Sequence, residues 1–510
     1  MLFSQAQQYD IPLNYNLSQE VLVVKSNSDS LFHTGQRPYN QWFLSKKTFD
    51  NTFKDTSDYY YDATVLLYQK HLLEIHKKDI HIGMDLLLDF YLGRKGGYDF
   101  SEVDGKVSGN SRGFRIVANI GKNVSFETRF YENQFFFADF LDSIMDARHV
   151  VSGIGRHKSF KEIGYDAGYS MGSVSYKIND QINIKFGHDK LFIGHGYRSL
   201  LLSDNASNYP LLTANFRSKN QKWFYSSTYA WMQSLTRSLT TVSTEALFKR
   251  KNGNFHYLSF KPNSHLELGL FEATIYNVYS DSSGIEKPSP TFYNPIIGIN
   301  TAVEGLQNKN NSLIGLSASY SFRDFQFYGQ LAMDNINKIG FQLGTKWFEL
   351  FNLKRNWVQL EFNTVPSYMY STTTINILQN YTHMNQELAH PLGASFKELL
   401  FLYHFEWNRW FTDFHFIYAN RVRGDLRQFG ENILIASDHT LISQTTYQNV
   451  NTYYWTIEGG YSFNIKTRLQ VFGQVTQRIL NNLDNSNANQ KDFFFQMGIR
   501  CYLNNYYLDL

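Results

Sequence analysis

From about Ile80 onward, apolar and polar residues alternate with a period of two along much of the chain. In DFQFYGQLAMD, Phe325, Phe327, Leu331 and Met333 fall on one face, and Gln326, Tyr328, Gln330 and Asp334 on the other. In HLELGLFEATI, Leu266, Leu268 and Leu270 oppose His265 and Glu267. In RLQVFGQVTQ, Leu469, Val471 and Val475 oppose Arg468, Gln470 and Gln474; in VSFETRFYEN, Phe126 and Phe130 oppose Glu127, Arg129, Tyr131 and Asn133. Successive side chains of a strand point to opposite faces, so this pattern predicts strands with one apolar face. No helical layer separates them, and each runs for roughly ten residues, the length of a tilted membrane-spanning strand.

The connections sharpen this. Tight turns are predicted at Gly121-Lys122-Asn123, Asn179-Asp180, Lys219-Asn220, Pro262-Asn263, Arg323-Asp324, Asn352-Leu353-Lys354, Arg409 to Thr412, and Asn464-Ile465-Lys466. Their Asn, Asp, Gly and Pro tolerate or preset turn dihedrals. Between them lie mostly long polar loops, near 94–111, 138–162, 192–209, 235–253, 277–312, 369–396, 423–451 and 479–491, with one short exception at Asp334 to Asn337. Alternating short and long connections are the pattern of an outer-membrane barrel. The predicted fold is all-β: a transmembrane antiparallel β-barrel of about 18 strands with long outer loops and short periplasmic turns. In FFFQMGIRCYLNNYYLDL, Phe493, Phe495, Met497, Ile499 and Leu503 share a face, and Tyr506, Tyr507 and Leu510 read as the end of a closing strand. Closure leaves no unpaired edge in lipid.

The start of the chain reads differently. In MLFSQAQQYD, Ser4 and Ala6 precede Gln7 as at a secretory cleavage site, so residues 1–6 read as the remnant of a signal peptide. Residues 7–78 read as a periplasmic or lumen-packed segment, and 79–510 as the barrel. The composition fits: 17% aromatic residues, only 9 prolines and a mean hydropathy of −0.39. A net charge of +3 gives no broad basic field and predicts no nucleic-acid partner. The single cysteine, Cys501, precludes an internal disulfide. No run of about eighteen apolar residues provides a transmembrane helix.

The stretch FGHDKLFIGHGYRSLLLSDNASNYP concentrates candidate chemistry. His188, Asp189 and His195 match no metal-ligand spacing. Ser199 or Ser203 with His195 and Asp204 lacks a GxSxG elbow, and Gly194-His195-Gly196 lacks the lysine and helix of a phosphate loop. A second stretch, YTHMNQELAHPLGASFKELLFLYHFEW, carries His383, Glu387, His390 and Glu398, with a fixed turn at Pro391 and Gly393. Sugars bind such surfaces by stacking on aromatic rings and pairing hydroxyls with amide, acidic and guanidinium groups. The predicted ligand surface, in the outer loops and barrel mouth, is His195, Tyr197, Arg198, Asp204, Asn205, His383, Asn385, His390 and Glu398; no catalytic residue, metal or cofactor is assigned. Glu127, Arg129, Lys185, Glu267 and Glu361 face the predicted lumen and suit a conducting pore or a closed one equally.

Four stretches carry a family resemblance: FHTGQRPY from Phe32, ENQFFF from Glu132, GHGYRSLLLSDNASNYP from Gly194 and NQELAHPLGASFKEL from Asn385. In them the chain resembles the gliding-motility RemB group of Bacteroidota outer-membrane proteins, related to the Wzi capsule-assembly barrels. The resemblance implies an outer-membrane barrel of about eighteen strands, acting without catalysis at the cell surface in gliding or in holding exported polysaccharide. Expected partners are outer-membrane lipid and lipopolysaccharide, surface polysaccharide, and gliding or secretion-apparatus proteins. The polar lumen face supports an alternative, a porin or substrate-specific channel. A barrel lipid hydrolase using a rim Ser and His is a third reading.

Overall fold

The computed structural model describes residues 10–26, 31–40, 61–99, 102, 104–238, 248–306, 310–372, 377–424, 429–435, 447–464, 467–501 and 504–509. Eighteen antiparallel strands form one closed barrel. They are β1 (Ile80–Lys95), β2 (Lys106–Ile120), β3 (Val124–Phe136), β4 (Gly164–Lys177), β5 (Ile182–Asp189), β6 (Tyr209–Arg217), β7 (Trp223–Arg237), β8 (Phe248–Phe260) and β9 (Leu266–Asn277). The ring continues through β10 (Asn311–Phe322), β11 (Phe325–Asn335), β12 (Lys338–Phe348), β13 (Asn356–Val365), β14 (Phe396–Trp407), β15 (Trp410–Gly424), β16 (Tyr447–Asn464), β17 (Leu469–Asn482) and β18 (Gln490–Cys501). Among the described residues no helix is long and apolar enough to cross a membrane; the strands make the crossing.

The strands are inside out relative to a water-soluble sheet. On β11, Gln326, Tyr328, Gln330 and Asp334 are buried, while Leu331 is 47% exposed and Phe327 52%. Leu343, Leu360, Ile457 and Met497 continue the exposed apolar belt. In the outer membrane this belt faces lipid, and each strand's backbone groups are satisfied by its neighbours. Trp407 and Trp410 flank one periplasmic turn and are exposed, at the level where amphipathic aromatics border the bilayer.

The predicted turns at 121–123, 179–180, 219–220, 262–263, 323–324 and 352–354 lie between strands, as does the short outer turn after Asn335. The turn placed at Arg409 to Thr412 is shifted: Trp407 pairs with Trp410, so Asn408 and Arg409 make the turn and Phe411 and Thr412 belong to β15. Asn408 has a φ of 55°, which asparagine tolerates better than most residues. The loops placed at 235–253 and 423–451 are shorter than expected, because β7 continues to Arg237, β8 begins at Phe248, and β16 begins at Tyr447. Residues 1–6, Ile465, Lys466, Leu503 and Leu510 lie outside the described residues.

Closure divides β1 between two partners. Its outer half pairs with β18, from Asp89 opposite Arg500 to Lys95 opposite Phe494. Its periplasmic half pairs with a short strand, Leu73–Lys77, in a hairpin that sets Leu73 opposite Met84 and Lys77 opposite Ile80. The closing strand therefore ends at Cys501, and the expectation that Tyr506 and Tyr507 continue it is corrected. The chain turns into the lumen, where Tyr507 is 2% exposed. There the Asn505 N–H donates to the Leu13 carbonyl at 3.0 Å, and its side-chain oxygen accepts the Tyr15 N–H at 2.8 Å. These residues carry hydroxyl and amide groups, which lipid cannot satisfy and the lumen can.

Residues 10–26 and 31–40 also lie inside the ring. Helix α1 (Tyr15–Ser26) and residues 31–40 contact strands around the circumference. Asp10 pairs with Lys185 of β5, Asn16 donates to Asp413 of β15 at 3.3 Å, and Lys346 of β12 donates to Gln19 at 2.9 Å. His33 bonds Ser259 of β8 at 2.7 Å. Ile11, Leu17, Val21, Phe32 and Tyr39 form a small apolar core of their own.

One loop takes the opposite course. Residues 286–305 lie on the outside of β7–β9, where Asn254, His256 and Glu272 point outward yet are 0% exposed. The Asn254 amide donates to the Phe292 carbonyl at 2.8 Å, and Tyr225 donates to the Pro295 carbonyl at 2.5 Å. Glu272 accepts the N–H groups of Gly298 at 2.7 Å and Thr301 at 2.8 Å. Phe292 packs among Tyr229, Trp231 and Tyr276, while Tyr293, Ile296 and Val303 point away from the wall. This strap covers a polar patch of wall and presents apolar side chains in its place.

Candidate functional site in the lumen and mouth

The stretch 190–209, read as an outer loop from 192 onward, is buried throughout. It descends into the lumen because it carries its own apolar centre. Leu200, Leu201 and Leu202 join Phe255, Phe271, Ile275 and Leu313 from the wall, and Tyr370, Tyr381 and Leu388 from the loop between β13 and β14, in one core. Burying each such side chain stabilises the arrangement by about 1.5–3 kcal/mol.

The backbone on either side of this core is held by polar strand residues. Glu361 of β13 accepts the N–H groups of Tyr197 at 2.9 Å and Arg198 at 3.1 Å. Its oxygens also accept from Tyr328 at 2.7 Å, Gln359 at 3.0 Å and Asn363 at 3.0 Å. Gln330 accepts the Leu200 N–H at 2.8 Å, and Gln342 donates to the Arg198 carbonyl at 3.0 Å. Deeper in the lumen, Glu267 of β9 accepts the N–H groups of Thr34 and Gly35, each at 2.9 Å. Added Cβ atoms would overlap the Tyr257 hydroxyl at Gly35 and Glu361 at Gly196, so both glycines permit close backbone approach.

Arg198 is the electrostatic centre and is fully buried. It lies 3.1 Å from Asp509 and 3.5 Å from Glu398, between the rings of Tyr197 and Tyr507. Burial alone would lower its pKa; Asp509 and Glu398 outweigh that and raise it, so it stays charged. His390 meets Glu398 at 2.7 Å, and burial holds its pKa below the usual value against that partner. Lys190 donates to the Gly153 and Ala206 carbonyls, and burial pushes its pKa down to about 8.

The other predicted residues join the same assembly. Asp204 accepts from Tyr507 at 2.7 Å and Asn505 at 2.9 Å. Asn205 donates to the Glu387 carbonyl at 3.2 Å, and His383 bonds the Asn208 carbonyl at 3.1 Å. His195 lies 3.8 Å from Glu267, and its carbonyl accepts from Lys346 at 2.6 Å. Eight of the nine predicted residues are thus buried contacts between loop, tail and wall, and Asn385 alone is half-exposed. The triad Ser-His-Asp is not assembled: Ser199 donates to the Ile193 carbonyl, Asp204 faces the tail, and His195 faces Glu267. His188 bonds the Ser170 carbonyl, and Asp189 pairs with Lys185.

Sequence reasoning missed the tail residues Asn505, Tyr507 and Asp509, because NNYYLDL reads as the end of a strand. It also missed Arg148, which grips Glu387 at 2.8 and 2.6 Å. Helix α2 (Asp139–Arg148) caps that part of the mouth, burying Phe140, Leu141 and Met145. Its acidic first turn and terminal arginine complement the helix dipole. Beneath α2 a cavity of about 190 Å³ runs along β15–β18 and β1. Its upper wall is apolar, including Phe135, Leu141 and Phe494, and its lower wall carries Asp89, Glu458 and Arg500.

No protein-family model matches the sequence, and no curated protein matches it. Among solved structures, the fold is similar to Wzi of Escherichia coli, described as an outer-membrane protein involved in group 1 capsule assembly and a carbohydrate-binding β-barrel. The identity is 12% and the TM-score 0.54, over 96% of this chain and 98% of that one. OprD of Pseudomonas aeruginosa matches with 10% identity and a TM-score of 0.41, over 82% of this chain and 94% of that one. OccAB2 of Acinetobacter baumannii matches with 11% identity and a TM-score of 0.43, over 82% and 97%. The protein is an eighteen-strand β-barrel of the outer membrane, with the fold found in Wzi.

Proposed function

We propose that the protein is a closed, non-catalytic barrel that works at the cell surface, holding exported polysaccharide or serving gliding motility. The observation that carries this reading is the filled lumen. Residues 10–26 and 31–40, the 190–209 stretch, the β13–β14 loop and the 504–509 tail occupy the interior, with bonds to the wall at Glu267, Glu361, Asp413 and Lys185. A barrel so occupied has its mouth as its working surface. Asn385, Arg148, His149 and Arg423 lie there partly exposed and supply the amide and cationic groups that acidic or hydroxylated sugars accept. The eight buried residues of the predicted ligand set act in this reading by fixing the loop beneath that surface. The resemblance to the RemB and Wzi groups and the shared fold with Wzi support the same role.

The test is binding of cell-surface polysaccharide to purified protein, with Arg148→Ala and Asn385→Ala weakening it. No binding to any surface polysaccharide, together with normal capsule and gliding in a deletion strain, overturns the proposal. The cavity beneath α2 favours a second reading, a channel of narrow selectivity. Single-channel recording in planar bilayers decides it: steady conductance supports the channel, and silence removes it.

A further inference from the structure

The hairpin at the periplasmic end of β1 gathers a different set of groups. Glu74, His76 and His81 place ligand atoms within 4.8 Å of one another. Two features of the sheet impose this. His76 and His81 are directly opposite in register, with ring centroids 4.4 Å apart. Glu74 lies two residues before His76 on the same face, and its cross-strand partner is Gly83, which has no side chain to intervene.

The carboxylate is already oriented. Its Oε1 accepts the His71 N–H at 3.1 Å, and its Oε2 lies 3.4 Å from His76 Nε2. Four ligands at about 2.1 Å around a tetrahedral ion are spaced by about 3.4 Å, so this edge already has the required length. His81 is buried at 7% exposure and fixed in the wall, whereas the His76 side chain is 61% exposed and able to close the remaining gap by rotation. His71, whose ring bonds Asp85 at 2.6 Å, stands beside the cluster, and its backbone N–H is the group that orients Glu74.

We propose that Glu74, His76 and His81 bind one divalent transition-metal ion, with Zn²⁺ the ion of choice. Two imidazoles and one carboxylate match its preference for nitrogen and oxygen ligands, and three protein ligands leave a fourth position for water. The ion pins the Leu73–Lys77 strand to β1 where β18 has already ended, and so clamps the closing seam of the barrel. This site is independent of the surface role proposed above and on the opposite side of the membrane.

Isothermal titration of ZnCl₂ into full-length protein in detergent, purified by a tag without histidine, tests it. One ion per chain is expected. His76→Ala and Glu74→Gln are expected to weaken binding by at least the roughly 10–100-fold that follows loss of even a supporting group. Heat-modifiable migration on gels confirms that both variants remain folded, which His76→Ala at an exposed position should. His149→Ala, at an exposed histidine of the outer mouth, is expected to bind as the wild type does. Absence of stoichiometric Zn²⁺ binding, or unchanged binding in His76→Ala and Glu74→Gln, overturns the site.

Discussion

Two segments leave the outer end of the barrel and go opposite ways. The 190–209 stretch descends into the lumen, and the 286–305 strap lies along the outside of the wall. Both are held by one device, a strand glutamate accepting two backbone N–H groups: Tyr197 and Arg198 on Glu361, Gly298 and Thr301 on Glu272. The packing differs. The inward segment buries its leucines against the wall and offers its backbone to polar lumen residues. The strap buries its polar groups against the wall and turns Ile296 and Val303 toward lipid. A loop's destination thus follows from which of its faces the adjoining wall can satisfy.

The largest effect is expected from Glu361→Ala. It leaves two buried N–H groups and three side-chain donors without their acceptor, at about 3–5 kcal/mol. Urea unfolding in detergent should show the loss, and planar bilayers should show conductance as the inward segment loosens. Arg198→Met, which strands Asp509 and keeps most of the volume, should cost about 3 kcal/mol in the same assay.

Acidification comes next. Burial pushes the His383 pKa down to about 3, helped by the nearby Lys251 charge and opposed by the bond to Asn208. The unfolded chain takes up this proton near the ordinary value of about 6.5, so stability is full above that pH and declines as the pH falls toward 3. By pH 5 the loss is about 2 kcal/mol, and His383→Asn should flatten that part of the profile. The smallest effect on global unfolding, about 1 kcal/mol or less, is expected from Glu272→Ala, because the strap can open locally. Its signature is faster chymotryptic cleavage after Phe292, which the closed strap buries, with no conductance. A conducting Glu272→Ala variant, or a silent Glu361→Ala variant, would erase the distinction between the two segments.

The barrel was legible because a lipid-facing strand must alternate, and Phe325 to Met333 or Leu266 to Leu270 do so. The polar side, read as lumen at Glu127, Arg129, Lys185, Glu267 and Glu361, is lumen. Alternation specifies a face and not what covers it, so neither the descent of Gly194 to Asn208 nor the packing of the tail was readable. One signal was present: Glu272 falls in the same register as Leu266, Leu268 and Leu270, where a carboxylate has no place in lipid. That break in phase marks the wall beneath the strap.

The 504–509 tail also sets an order of events. Every wall strand leaves the ribosome before Asp509, yet Arg198 of the inward stretch finds its closest carboxylate there. Tyr507 and Asn505 likewise supply the donors that Asp204 requires. A ring formed without residues 504–509 would therefore have an unfinished interior, so the packing of the inward stretch waits on a segment made after all eighteen wall strands.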